Sequence, residues 1–254
     1  MNPPAQELSG KIALITGGSR GIGRAIALRL AAAGAAIIVN YLRNEAAACE
    51  TCEQIGALGG RADAVAADVG DPGAVRTLFE RVGARHARLD ILVHGAAMGR
   101  FQPVLGVRPI DWELAMRTNA HSLLLLARQA LPLLAQPGGC IVALSSLGSE
   151  RYVPFYGALG PSKAALECLV RYLAVELAPR GVRVNGVSGG MIEGETLRRF
   201  PEHEALRQAI VQRTPANRLG TPEEVADVVA FLCGERSSWI YGQTLIVDGG
   251  FSLL

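Results

Sequence analysis

The chain has 254 residues, half of them apolar and only 5% aromatic, with a formal net charge of +2. That is enough for one α/β domain with a substantial core, and a charge balance this close to neutral leaves no general footprint for nucleic acid. The first ten residues lack the basic and apolar regions of an export signal, and no apolar run reaches the roughly 18 residues of a membrane span, so the chain reads as a soluble cytoplasmic protein.

Seven strands are predicted in chain order at residues 11–16, 35–40, 62–67, 89–94, 140–144, 183–187 and 244–247, with helical segments filling the gaps. Such alternation calls for parallel βαβ units with helices on both faces. No linker, repeat or low-complexity tract divides the chain, so the expectation is a single α/β domain of the doubly wound, Rossmann type. The first strand runs directly into Thr16-Gly17-Gly18-Ser19-Arg20-Gly21-Ile22-Gly23 and then a helix. Glycines in that context let the backbone approach a pyrophosphate, while the following helix offers free N–H groups and its positive dipole end.

The second strand ends in Asn40-Tyr41-Leu42-Arg43, roughly 20 residues past the glycines, where an NAD-binding chain would place an acid on the ribose 2′-hydroxyl. None is present. Arg20 and Arg43 can instead pair with a 2′-phosphate, which favours NADPH. The helical stretch that follows carries Cys49 and Cys52 at metal-like spacing, but with no second pair they read as structural, and an odd total of five cysteines forms no disulfide framework. His94, ending the fourth strand, reads as a satisfied core histidine.

After the fifth strand come Ser145 and Ser146, then Tyr152, Tyr156 and Lys163. The chain contains 23 arginines and only two lysines, Lys11 and Lys163. Lys163 therefore reads as kept for what a compact ammonium does: sit among ribose hydroxyls and lower a neighbouring phenol from its usual pKa of about 10. Residues 189–218 form a long segment without strand periodicity, read as a lid or binding loop. Its Arg198, Arg199, Arg207, Arg213 and Arg218 are nearly balanced by Glu193, Glu195, Glu202 and Glu204, the pattern of a solvated helix.

Thr16-Gly-x3-Gly-Ile-Gly23, Asp68-Val69, Asn119, Ser145-Ser146 and Ser162-Lys163-Ala-Ala-Leu together resemble the short-chain dehydrogenase/reductase family over essentially the whole chain. Within it, Tyr156-x6-Lys163, Val187-Ser-Gly-Gly-Met-Ile192 and the Gly242–Gly250 segment are similar to the enoyl-acyl carrier protein reductase III type. The commoner family signature places its tyrosine four before the lysine, where this chain has Leu159. Seven helical residues rise about 10 Å against about 6 Å for four, so a helical Tyr156 would share a face with Lys163 but lie one turn further off. Pro161 is tolerated only in a first turn, which would leave Tyr156 on the loop leading into the helix.

The resemblance implies hydride delivery from NADPH to C3 of a trans-2-enoyl thioester on acyl carrier protein or coenzyme A. Tyr156 would stabilise the enolate oxygen, Lys163 would hold the nicotinamide ribose, Ser146 would add a hydrogen bond, and Tyr152 is the second phenol. Asn119 is expected to bond backbone within its own helix rather than touch substrate. Cofactor contacts are implied for Gly17, Ser19, Arg20, Gly21, Ile22, Gly23, Arg43, Asp68, Val69, His94, Gly95, Lys163 and Ile192. His94-Gly-Ala-Ala97 stands where the family has Asn-Asn-Ala-Gly, leaving backbone contacts there. A homotetramer follows from the same resemblance, with apolar helices near residues 123–134 and 164–177 as candidate contacts. Two other readings stay open: a 3-oxoacyl or ketone reductase, and a nicotinamide-binding module without turnover.

Overall fold

The computed structural model describes residues 7–134, 138–198, 200 and 203–254; Arg199 and Glu202 lie outside them. Seven parallel strands form one sheet in the order β3-β2-β1-β4-β5-β6-β7: β1 Ile12–Thr16, β2 Ala36–Tyr41, β3 Ala62–Ala66, β4 Ile91–His94, β5 Cys140–Ser146, β6 Arg183–Gly189 and β7 Thr244–Val247. The central strands are near-continuous apolar runs because both sheet faces are covered. In β1 the period of two sends Ala13 and Ile15 to one core and Leu14 to the other.

Helices α1 (Gly21–Ala32) and α2 (Glu45–Ala57) line the first core, and α3 (Pro72–Arg85) lines the second. Next, α4 (Pro109–Met116) and α5 (Ser122–Ala130) are joined by a π-helical turn, Arg117–His121; α5 and α6 (Leu159–Leu177) complete the second core. After β6, α7 (Glu195–Arg198) and α8 (His203–Arg213) lead to α9 (Pro222–Cys233), which closes the first core against α1. Cys49 and Cys52 both lie on α2 as free thiols.

All seven predicted strands are present, but three end later than read: β2 by one residue, at Tyr41, and β5 and β6 by two. Ser145 and Ser146 lie within β5, and Gly189 within β6, because the ladder continues through Ser145↔Ser188 and Ser146↔Gly189. Among the described residues, the 189–218 excursion contains α7 and α8, in keeping with the solvated-helix pattern, and carries exposed ion pairs: Arg207 to Glu193 at 3.6 Å, Arg20 to Glu195 at 3.2 Å, and Arg218 to Glu224 at 2.5 Å. The crevice between β1 and β4, where the strand order reverses, opens at the carboxyl ends of the strands, the usual binding position in such sheets. Among the described residues, no helix is long and apolar enough to cross a membrane.

Candidate active site

The glycine turn closes on itself too tightly for any side chain at its second bend. A Cβ on Gly23 would lie 2.2 Å from the Gly17 carbonyl oxygen, so α1 packs directly on the turn. Thr16 Oγ1 accepts from the N–H groups of Gly95 and Ala96 at 3.1 and 3.2 Å, pinning the segment after β4 beside the turn. Ser19 is buried, and its carbonyl accepts from Arg24 and Thr51. Unlike α2, α3 and α9, which begin on the side chains of Asn44, Asp71 and Thr221, α1 has no side-chain cap and no acid in its first turn. Its free N–H groups and positive end therefore fit a pyrophosphate.

The buried Asn40 amide donates to the carbonyls of Val65 and Ala67, each at 3.2 Å, so this side chain is committed to the β2–β3 ends. Arg43 is exposed and makes no ion pair or side-chain hydrogen bond among the described residues, while Arg20 pairs with Glu195. Asp68 accepts from the Gly70 N–H at 2.8 Å beside the buried Val69. Ile192 is half-buried against the first core and bridges to Gly220.

Helix α6 begins at Leu159, with Pro161 inside its first turn. As Pro161 implied, Tyr156 lies on the preceding loop, where Phe155 adopts φ 60° and the Tyr156 carbonyl accepts from Gly160 at 2.8 Å. Leu159, four before the lysine, is buried, and its side chain packs on the Gly99 backbone, where a Cβ would come within 2.5 Å of it. The Tyr156 ring lies over Gly148, where a Cβ would sit 2.4 Å from the ring. It stacks on Phe200 from the 189–218 excursion, with centroids 6.3 Å apart and planes within 6°, and stands 6.0 Å from Phe101. Beside it, a cavity of about 430 Å³ is lined by Gly99, Arg100, Phe101 and Gln102.

Lys163 is only 5% exposed, and its Nζ donates to the Leu144 carbonyl at 2.6 Å. Burial lowers its pKa to about 8, opposed by the negative charge of Glu167. The expectation that the lysine depresses the phenol is corrected. Burial pushes Tyr156 up from 10, and the partner that pulls it back is the Ser146 hydroxyl. Glu167, one turn beyond Lys163, is 5% exposed and accepts from Ser145 Oγ and from Ser149 Oγ, the latter at 2.6 Å.

Asn119 sits in the π-helical turn and clamps the loop after β4: its Nδ2 donates to the Met98 carbonyl and to Ser162 Oγ, both at 2.9 Å, and its Oδ1 accepts from Met98 N at 2.7 Å. The expectation of a backbone bond within its own helix is corrected: the partners lie on the loop after β4 and on α6. His94 is fully buried. Its Nε2 meets Ser122 Oγ at 2.6 Å, and Ser122 donates onward to the Thr118 carbonyl, so Nε2 carries the hydrogen. The expectation of a fully satisfied core histidine is corrected at Nδ1, which has no partner among the described residues. Burial, with the positive Lys163 second, lowers the pKa of His94 to about 3.

The structure thus brings Tyr156, Ser146, Lys163 and Asn119 to one end of α6, and leaves Tyr152 89% exposed and apart. Sequence reasoning missed Glu167, Phe101 and Phe200. Glu167 carried a signal, an acid four positions past a singular lysine on a helix; the two phenylalanines, far from each other in sequence, carried none.

A family model described as "Enoyl-(Acyl carrier protein) reductase" matches residues 17–252. The chain is 43% identical over 259 aligned positions to a 1-cyclohexenylcarbonyl-CoA reductase of Streptomyces collinus, covering 100% of this chain and 92% of that one. It is 36% identical to a 3-oxoacyl-acyl-carrier-protein reductase of Aquifex aeolicus, covering 96% and 98% of the two chains. The solved structure of an angucycline C-6 ketoreductase with bound NADP superposes with a TM-score of 0.90 at 36% identity, covering 98% of each chain.

Proposed function

The chain belongs to the short-chain dehydrogenase/reductase family, an oxidoreductase whose fold binds a nicotinamide cofactor, and from that premise we propose that it is an NADPH-dependent reductase of trans-2-enoyl thioesters carried on coenzyme A or acyl carrier protein. The observation that supports this most is local. Leu159 stands buried at the position of the shorter family spacing, while the enclosed phenol is that of Tyr156, seven before Lys163 and stacked inside the site. The relative acting on a cyclohexenylcarbonyl-CoA, a conjugated thioester by its name, is consistent with the reading.

In this reading Gly17, Ser19, Gly21, Ile22 and Gly23 hold the pyrophosphate at the α1 N-terminus. Arg20 and Arg43 hold the 2′-phosphate. Asp68, Val69, His94, Gly95 and Ile192 line the remainder of the cofactor crevice. NADPH, when bound, supplies the hydride that reduces C3 of the conjugated acyl group. Lys163, oriented by the Leu144 carbonyl, bonds the ribose hydroxyls. Tyr156, kept protonated by burial, donates to the thioester oxygen as negative charge develops there, with Ser146 as its hydrogen-bond partner. Asn119 holds the loop after β4 in place. The exposed apolar residues Ile110, Trp112, Tyr172, Val175 and Trp239 fit subunit contacts of a homotetramer.

The experiment is product identification. The purified protein, supplied with crotonyl thioester and NADPH, should form butyryl thioester in step with cofactor oxidation. Reduction of acetoacetyl thioester alone would favour the ketoreductase reading, and cofactor binding without turnover of either would favour a silent module.

A further inference from the structure

Glu167 is a buried carboxylate with no ion-pair partner within 4 Å among the described residues, an arrangement that costs stability unless something offsets it. Its two hydroxyl donors come from both ends of one short segment: Ser145 at the end of β5 and Ser149 at the end of the following 3₁₀ turn. Both bonds fall on the same oxygen, Oε1. Between the two serines lie Ser146, whose hydroxyl pulls the Tyr156 phenol back down, and Gly148, over which the Tyr156 ring lies. On the other side, Lys163 is one helical turn away on the same face.

We infer that Glu167 is a positioning residue, whose carboxylate clamps the Ser145–Ser149 turn onto α6 so that Ser146 and the Tyr156 ring are held in register with Lys163. The inference rests on the proposed roles of Tyr156 and Lys163, but not on which thioester is reduced. The clamp is mechanical and electrostatic at once. It fixes the floor beneath the phenol, and it places a negative charge that favours the protonated lysine. The titratable groups that face Lys163 are Glu167 on α6 itself and the neutral His94 on β4; β5 contributes the Leu144 carbonyl.

Two variants of the full chain separate the effects. In Glu167→Gln the amide oxygen can still accept from both serines but the charge is gone; in Glu167→Ala the clamp is gone as well. Each is assayed with whichever of crotonyl or acetoacetyl thioester the native protein turns over, so a wrong substrate assignment leaves the test intact. Cofactor affinity is read separately from NADPH fluorescence. For Glu167→Gln, the alkaline limb of kcat/KM should move to lower pH by about one unit, since Lys163 then loses its proton sooner. For Glu167→Ala, kcat at pH 6.5 should fall by about 10-fold or more while the NADPH Kd stays within about threefold, the mark of lost orientation rather than lost binding. A Glu167→Gln profile that superimposes on the native one would overturn the inference. So would parallel losses of kcat and cofactor affinity accompanied by a lowered melting temperature, which would make Glu167 a structural brace only. If Glu167→Ala does not fold, the Glu167→Gln profile decides.

Discussion

Two phenols four residues apart have opposite surroundings, and that contrast makes the acid testable. Tyr156 is stacked between Phe200 and the Gly148 backbone, whereas Tyr152 is 89% exposed. Tyr156→Phe should lower kcat on the order of 100-fold, the range for a lost oxyanion donor. Tyr152→Phe should leave kcat within about twofold, since changes at exposed positions away from a site rarely register; steady-state kinetics on both variants gives the comparison, and the reverse ranking would move the role to Tyr152. His94 supplies a second prediction, in stability. Its pKa is about 3 folded against about 6.5 unfolded, so between those values the unfolded chain binds the extra proton. The contribution is fully present above pH 6.5 and is lost as pH falls toward 3. Relative to His94→Asn, the native protein should lose up to about 1.4 kcal/mol per pH unit on acidification below 6.5. Urea midpoints between pH 4 and 7 measure it, and equal slopes would contradict the assignment. Tyr156 and Lys163 were legible in the sequence because their spacing is local. Glu167 was legible only as an acid four positions past Lys163, because only the packed structure says which hydroxyls meet that side of α6.

At the level of elements, most strands were legible because they are short β-branched runs, and the glycine turn because strand, glycines and helix follow in order. Where β5 and β6 end was not legible, since the last rungs depend on each other's pairing, Ser146 against Gly189. The start of α6 was, because Pro161 admits only a first-turn position. The uncapped α1 with Arg20 at its N-cap and Arg43 past β2 carries the cofactor prediction. Replacing both arginines with Ala should weaken NADPH by roughly 10-fold or more and NADH by much less, as expected for lost charge-assisted bonds to a 2′-phosphate. Fluorescence titration with the two cofactors reads the difference, and an unchanged ratio of dissociation constants would remove the NADPH assignment. Glu195 must release Arg20 for that contact, since the two are paired at 3.2 Å.

Across the whole molecule, the doubly wound sheet places both halves of the proposed site at the carboxyl ends of its central strands: glycine turn and β4 loop on one side of the crevice, β5 end and α6 on the other. Large apolar residues remain exposed on α4, on α6 and near β7. Light scattering on the purified protein should give the mass of a tetramer; a monomer at micromolar concentration would contradict the subunit reading. What the fold leaves undetermined between enoyl and keto reduction, the Tyr156 loop and the buried Leu159 are proposed to decide. The most direct measurement is therefore the ratio of kcat/KM for crotonyl over acetoacetyl thioester with NADPH, both offered on the same carrier. The account predicts a ratio well above one that collapses in Tyr156→Phe; a ratio well below one would show that a phenol seven residues before the lysine does not select the conjugated double bond.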